Sequence, residues 1–345
     1  MNAVMIVPTG IGCEIGGHAG DATPAARLLA KCVDRLIVHP NVVNASDICE
    51  LTPNMRYVEG SMLDRFLWDD FGLREVMSNR ILVAVNKPVK PETVNAVSAS
   101  RSTLGASIKI IELDTKLMMT GMINEDGTAG GTYSGVPELI GQIKDYDREG
   151  DKFDALAISS LIRVPRDVAK QYWHDPKGGV NPWGKIEAVV SRRIAELIQK
   201  PVAHAPIQPL EVKDECNAGE WDFVCDPRKA PEIISECFLH CVLKGLHRAP
   251  RIHWNHQPGN PLRVQDIDVM ISPMCWGTPH EACTRHNIPI IFVRENQTVE
   301  TKKMKMRSGM CIVKNYIEAA GLLMAMQSGV ITSSVQRPIP PTEII

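Results

Sequence analysis

Short apolar runs rich in β-branched residues alternate along this chain with longer stretches whose apolar positions recur every three or four residues. That rhythm predicts parallel strands joined by crossover helices. The expected strands cover residues 4–7, 35–38, 81–85, 108–111, 155–158, 202–204, 269–271 and 289–293, and the clearest helices cover 24–33, 91–100, 185–199, 231–246 and 317–327. Pro24 follows Thr23 at a first-turn position, where a missing N–H costs nothing. The fold class expected is α/β, with a mostly parallel, doubly wound, Rossmann-like sheet. Residues 163–183 are rich in Pro, Trp and Gly, break the rhythm, and read as a long ordered loop or hinge. This places an N-terminal lobe at 1–165 and a C-terminal lobe at 185–335, or one integrated domain, with 336–345 as an extended tail around Pro338, Pro340 and Pro341.

With 345 residues, 44% of them hydrophobic, the chain can bury a substantial core. Its 40 acidic residues nearly balance its 38 basic ones, so no overall field favours nucleic acid, and a charged ligand must be recognised locally. No window approaches the roughly 20 consecutive apolar residues of a membrane span. Ten cysteines in a chain this large do not read as a disulfide scaffold, and the strand at 4–7 follows no basic region or cleavage site. A cytoplasmic protein with a small-molecule substrate and no nucleic-acid or membrane partner is expected. The apolar stretch 317–326 suits either a core helix or the face of a homo-oligomer.

In open α/β sheets ligands bind beyond the carboxyl ends of strands, so the polar segments that follow strands carry the most weight. The first is Pro8-Thr-Gly-Ile-Gly-Cys-Glu-Ile-Gly-Gly-His-Ala-Gly-Asp21, in which Thr9 and Gly10 suit substrate contact and Glu14, His18 and Asp21 are titratable. Its glycine spacing fails the dinucleotide fingerprint, and His39-Pro-Asn41 stands where an acidic residue would be needed, so a nicotinamide cofactor is disfavoured. The second segment, 39–47, offers His39, Asn41, Asn44, Ser46 and Asp47, which suit a polar ligand or, structurally, an Asn/Asp turn capping the next helix. The third, 127–135, supplies Gly130, Gly131, Thr132 and Ser134 as an anion cradle or a lid ahead of a helix at 136–143, without a P-loop ending. His253 and His256 form a weak metal pair, which leaves a divalent metal open as a cofactor. After the strand at 269–271, Cys275 stands before a helix starting near Pro279, with His280 close in sequence, and is the foremost nucleophile.

The segments Pro8-Thr-Gly-Ile-Gly, Gly16-Gly-His-Ala-Gly-Asp, His39-Pro-Asn-Val-Val-Asn-Ala-Ser-Asp47, Gly130-Gly-Thr-Tyr-Ser-Gly-Val136 and Asp268-Val-Met-Ile-Ser-Pro-Met274 resemble an uncharacterised bacterial and cyanobacterial family catalogued as a domain of unknown function. The resemblance spans nearly the whole chain. It implies one integrated unit and carries no activity to transfer.

The function expected from the residues is that of an enzyme acting on a small anionic metabolite that bears a carboxylate or phosphate. Glu14, His18, His39, Cys275 and His280 are its acid–base or nucleophilic groups, and isomerase, lyase and hydrolase chemistry all remain open. A non-catalytic small-molecule or nucleotide sensor is the alternative.

Overall fold

The structure is a computed structural model and describes residues 1–18, 21–43, 51–58, 60–150, 152–177, 179–207, 224–234, 238–300, 304 and 306–344. It contains two parallel sheets. The larger joins β1 (Asn2–Met5), β2 (Arg35–Val38) and β3 (Met55–Tyr57) to three strands from the far end of the chain, β13 (Val269–Pro273), β14 (Ile290–Val293) and β15 (Met310–Val313). Its spatial order is β15-β14-β13-β1-β2-β3, all parallel, with Ala3 opposite both Leu36 and Val269. The smaller sheet has the order β11-β9-β5-β6, built from β5 (Arg80–Asn86), β6 (Ser107–Leu113), β9 (Ala155–Ser160) and β11 (Val202–Pro206). Each sheet thus draws strands from both sides of residue 165.

Every strand expected from the apolar runs is present, within a few residues at its ends. The short strands β3 and β15 of the larger sheet, with β4 (Gly72–Arg74), β10 (Ile162–Arg163) and β12 (Arg251–His253), were not legible, because so few residues show no period. Nor was the hairpin of β7 (Met118–Ile123) and β8 (Ala129–Ser134), which is half exposed and glycine-rich. The expected cradle at 127–135 is therefore largely an antiparallel strand.

Alternation along each strand sends side chains to opposite faces, and both sheets are covered on both. Ala3, Met5 and Val7 face α1 (Thr23–Ala30) and the helix Tyr316–Gln327, whereas Val4 and Ile6 face the interior with α2 (Gly60–Leu67). In the smaller sheet Val83, Ala157 and Ala203 face α3 (Pro91–Leu104) and the helix Phe238–Arg248. Leu82, Ile158 and Val202 join the same central core as Val4 and Ile6, which α4 (Val136–Arg148) and α6 (Gly184–Ile198) help to fill. α6 stands between the sheets.

Residues 163–183 are not a plain loop. They contain α5 (Arg166–His174), which buries Ala169, Tyr172 and Trp173 at three- and four-residue spacing. Tyr172, Trp173 and Trp183 pack edge-to-face or tilted, with ring centroids 5.0–6.0 Å apart. The tryptophans of this segment, with Tyr172, form a small aromatic core.

Candidate functional site

In the six-stranded sheet the order reverses between β1 and β13. The helix after β1 packs on one face, while the helix Thr278–Arg285 after β13 packs with α2 on the other. This is the switch point, where loops diverge and leave a crevice at the carboxyl ends. The opening loop and the Ser272–His280 segment both start there.

The opening loop is anchored on every side. Gly10 accepts a hydrogen bond from Ala129 of the hairpin (2.9 Å), Ile11 accepts from Val299 (2.9 Å), and Glu14 donates its N–H to the Gln297 carbonyl (3.0 Å). The wholly buried Asn296 side chain brackets Ile15 through both its N–H (2.9 Å) and its C=O (2.8 Å). Gly10 is required twice over, by φ +78° and because a Cβ would stand 2.8 Å from Lys185 Cβ of α6. Thr9 Oγ1 lies against Gly184, where a side chain would collide with it. Gly131 is needed for the same helix, since its Cβ would stand 2.7 Å from Ile186 Cβ and closer still to the Thr120 carbonyl. Two glycines expected to contact a ligand, Gly10 and Gly131, thus let α6 approach. Gly130 sits against the Asn124 side chain, and Thr132 and Ser134 are exposed on β8.

His39 joins β2 to β1. Its Nε2 accepts the Val7 N–H at 2.9 Å, and Asn41 donates from Nδ2 to the Val7 carbonyl at 2.8 Å. The Asn41 N–H also lies 3.4 Å from Nδ1, but a neutral imidazole has one lone pair to offer, and the shorter contact takes it. Burial lowers the His39 pKa to about 4, so the ring is a neutral staple between strands. Asn44, Ser46 and Asp47 lie outside the described residues.

At the other wall, His280 Nδ1 accepts the Gly277 N–H (3.1 Å), which leaves Nε2–H to donate to Ser272 Oγ (2.7 Å). The Cys275 thiol lies 3.7 Å from Ser272 Oγ and 4.0 Å from that nitrogen. His280 is stacked between Trp276 and Phe292, and burial lowers its pKa to about 4. Cys275 and His280 do come together, but His280 shows the thiol a proton rather than a lone pair. Cys13 of the opening loop and Cys275 lie in one apolar cluster on the other face, and burial pushes the Cys13 thiol pKa well up.

His18 is placed differently. Its Nδ1 lies 2.8 Å from Tyr172 Oη, and Tyr172 donates onward to Glu232 Oε2 at 3.2 Å. Since the phenol proton goes to Glu232, Nδ1 must carry the imidazole proton and Nε2 the lone pair. Among the described residues no hydrogen-bond partner reaches that buried Nε2, and the residue is only 2% exposed. Burial first, then the charges of Arg228 and Lys229, lowers the His18 pKa to about 4. On the same loop Asp21 accepts from Gly16 N–H at 2.8 Å, and burial raises its carboxyl pKa to about 7. Lys229, itself fully buried, holds α5 by donating to the Tyr172 and Asp175 carbonyls. Glu14 pairs with Arg228 (3.1 Å), which also binds Asp226.

His253 is buried with Nε2 3.1 Å from the Pro258 carbonyl, while His256 is exposed. Among the described residues no three His, Cys, Asp or Glu side chains come close enough to hold a metal ion.

Tyr172, Glu232, Asn181 and Arg228 escaped the sequence reading because none follows a strand. For Tyr172 and Asn181 the one available signal was the density of Pro, Trp and Gly in 163–183.

A family model described as a protein of unknown function (DUF3326) matches residues 2–336. A protein from Synechococcus sp. named as an uncharacterized lipoprotein is 35% identical over 344 residues, covering 95% of this chain and 91% of its own length.

Proposed function

The chain belongs to the DUF3326 family, and from that premise we propose that it is an enzyme binding a small carboxylate- or phosphate-bearing metabolite at the β1/β13 switch point, with His18 as its general base. The observation that carries this reading is the buried Nε2 of His18, which has no hydrogen-bond partner among the described residues and whose Nδ1–H is fixed by Tyr172 and Glu232. A buried acceptor without a partner costs stability, and such costs persist where a group is used. Holding the proton on one nitrogen keeps the lone pair on the other, the arrangement a base needs. A His pKa of about 4 and an Asp21 pKa of about 7 give a deprotonated base and a protonatable acid at neutral pH. Proton abstraction and return, as in an isomerase or lyase, is the chemistry such a pair performs.

The test is a thermal-shift screen of carboxylates and phosphorylated metabolites, followed by deuterium incorporation into each stabilising compound in heavy water. Wild type should exchange a carbon-bound hydrogen. His18→Gln should slow the exchange by about 10²-fold or more, and Tyr172→Phe should slow it less while still binding. The reading fails if no such compound raises the Tm, or if exchange survives in His18→Gln. A sensor would show binding without exchange in any variant. We further propose that the protein works in the cytoplasm.

A further inference from the structure

A second cluster lies on the other sheet, at the carboxyl ends of β9 and β11. Ser160, the last residue of β9, has its Oγ 3.0 Å from His204 Nε2 on β11. His204 Nδ1 faces Glu187 Oε1 at 3.5 Å, from the first turn of α6. Strand alternation places Ser160 with Ile158 and His204 with Val202 on the face toward the central core and α6, which is why a carboxylate on that helix can reach the ring. Ser160 and His204 are 2% and 5% exposed, and among the described residues Nδ1 has no closed hydrogen bond, with the Glu187 carboxylate 3.5 Å away as an acceptor.

We infer that Ser160, His204 and Glu187 form a serine nucleophile centre for acyl transfer from a small ester or thioester. The order of contacts is hydroxyl to imidazole to carboxylate, the order that activates a serine on unrelated folds. His204 Nε2 takes the hydroxyl proton as Oγ bonds to the acyl carbon, and the carbonyl electron pair moves to oxygen. When the carbonyl re-forms, the bond to the alcohol or thiol breaks, and that leaving group takes the proton from Nε2. Water repeats the sequence, releases the carboxylic acid and restores Ser160. The Glu187 side chain faces Nδ1 and orients the ring throughout.

The centre is independent of the His18 reading, although both abut the start of α6. Asn181 binds Glu232 (3.2 Å) and accepts from the Trp183 and Gly184 N–H groups there, one turn before Glu187.

A fluorophosphonate probe tests the inference, because a nucleophilic serine displaces its fluoride and forms a stable Oγ–P bond. Labelled protein is digested and fragmented to separate Ser160 from its neighbour Ser159. Wild type should label at Ser160, Ser160→Ala not at all, and Ser159→Ala normally. His204→Gln should label at least about 10²-fold more slowly, and Glu187→Gln, a near-isosteric change in the first turn of α6, should also be slower. His18→Gln should label at the wild-type rate. An unlabelled wild type, labelling that persists in Ser160→Ala, or a Glu187→Gln rate equal to wild type would each overturn the proposal.

Discussion

Substituting His39 by leucine separates two effects of one buried imidazole. At neutral pH the variant loses the 2.9 Å acceptor of the Val7 N–H and leaves a buried donor unpaired, a cost of about 1–3 kcal/mol. Acid changes the comparison. The folded-state pKa of about 4 lies below the ordinary 6.5, so the unfolded chain binds the proton first. Stability from the neutral ring is therefore complete above pH 6.5 and drains away as pH falls toward 4. The linkage is worth about 2 kcal/mol at pH 5 and about 3 kcal/mol below pH 4. A leucine side chain cannot titrate, so the penalty of the substitution should shrink from about 2 kcal/mol at pH 7 to near zero at pH 5. Urea titrations of both proteins at the two pH values measure it, with m-values unchanged as the check on two-state unfolding. The wild-type profile alone would mislead. Asp21, with its pKa raised to about 7, binds its proton more tightly in the folded state and so favours folding as pH falls from 7 toward 3.8. Subtracting the variant removes that contribution. A penalty that stays the same at both pH values would refute the argument, since the His39 ring would then titrate alike folded and unfolded.

Gly131→Ala should destabilise by about 2 kcal/mol and lower the Tm by about 3 °C, because the added Cβ meets Ile186 and the Thr120 carbonyl. Gly141→Ala, inside α4 with open space around it, should raise the Tm slightly under the same scan. Fractionation of expressing cells should recover the chain in the cytosol. Quantitative recovery with membranes, as the name of the Synechococcus relative suggests for that protein, would count against the cytoplasmic assignment.

Much of this molecule was legible in one dimension. Strands at 35–38, 81–85, 155–158 and 269–271 are buried runs bounded by helices, and that pattern fixes a parallel sheet wherever the strands pair. The opening loop stood out because its residues are neither strand nor helix formers and directly follow an apolar run. What it would touch was not legible. β1 pairs with β13, some 266 positions away, and Tyr172 reaches His18 across 154. Such pairings follow from which apolar faces can bury one another, which a local period of two or 3.6 does not specify.

The chemistry divides in the same way. Sequence supplied His18, His39 and His280 as equals, each an imidazole near the end of a strand. Only the tertiary structure distinguished them, because a histidine's role depends on which of its two nitrogens already has a partner. The acceptor nitrogens of His39 and His280 take the backbone N–H groups of Val7 and Gly277, while that of His18 is buried and has no partner among the described residues. Burial, which sets all three pKa values, likewise depends on long-range packing. The sequence determined which residue types stand at the strand ends, and the packing of two sheets about α6 decided which of them has a lone pair to use.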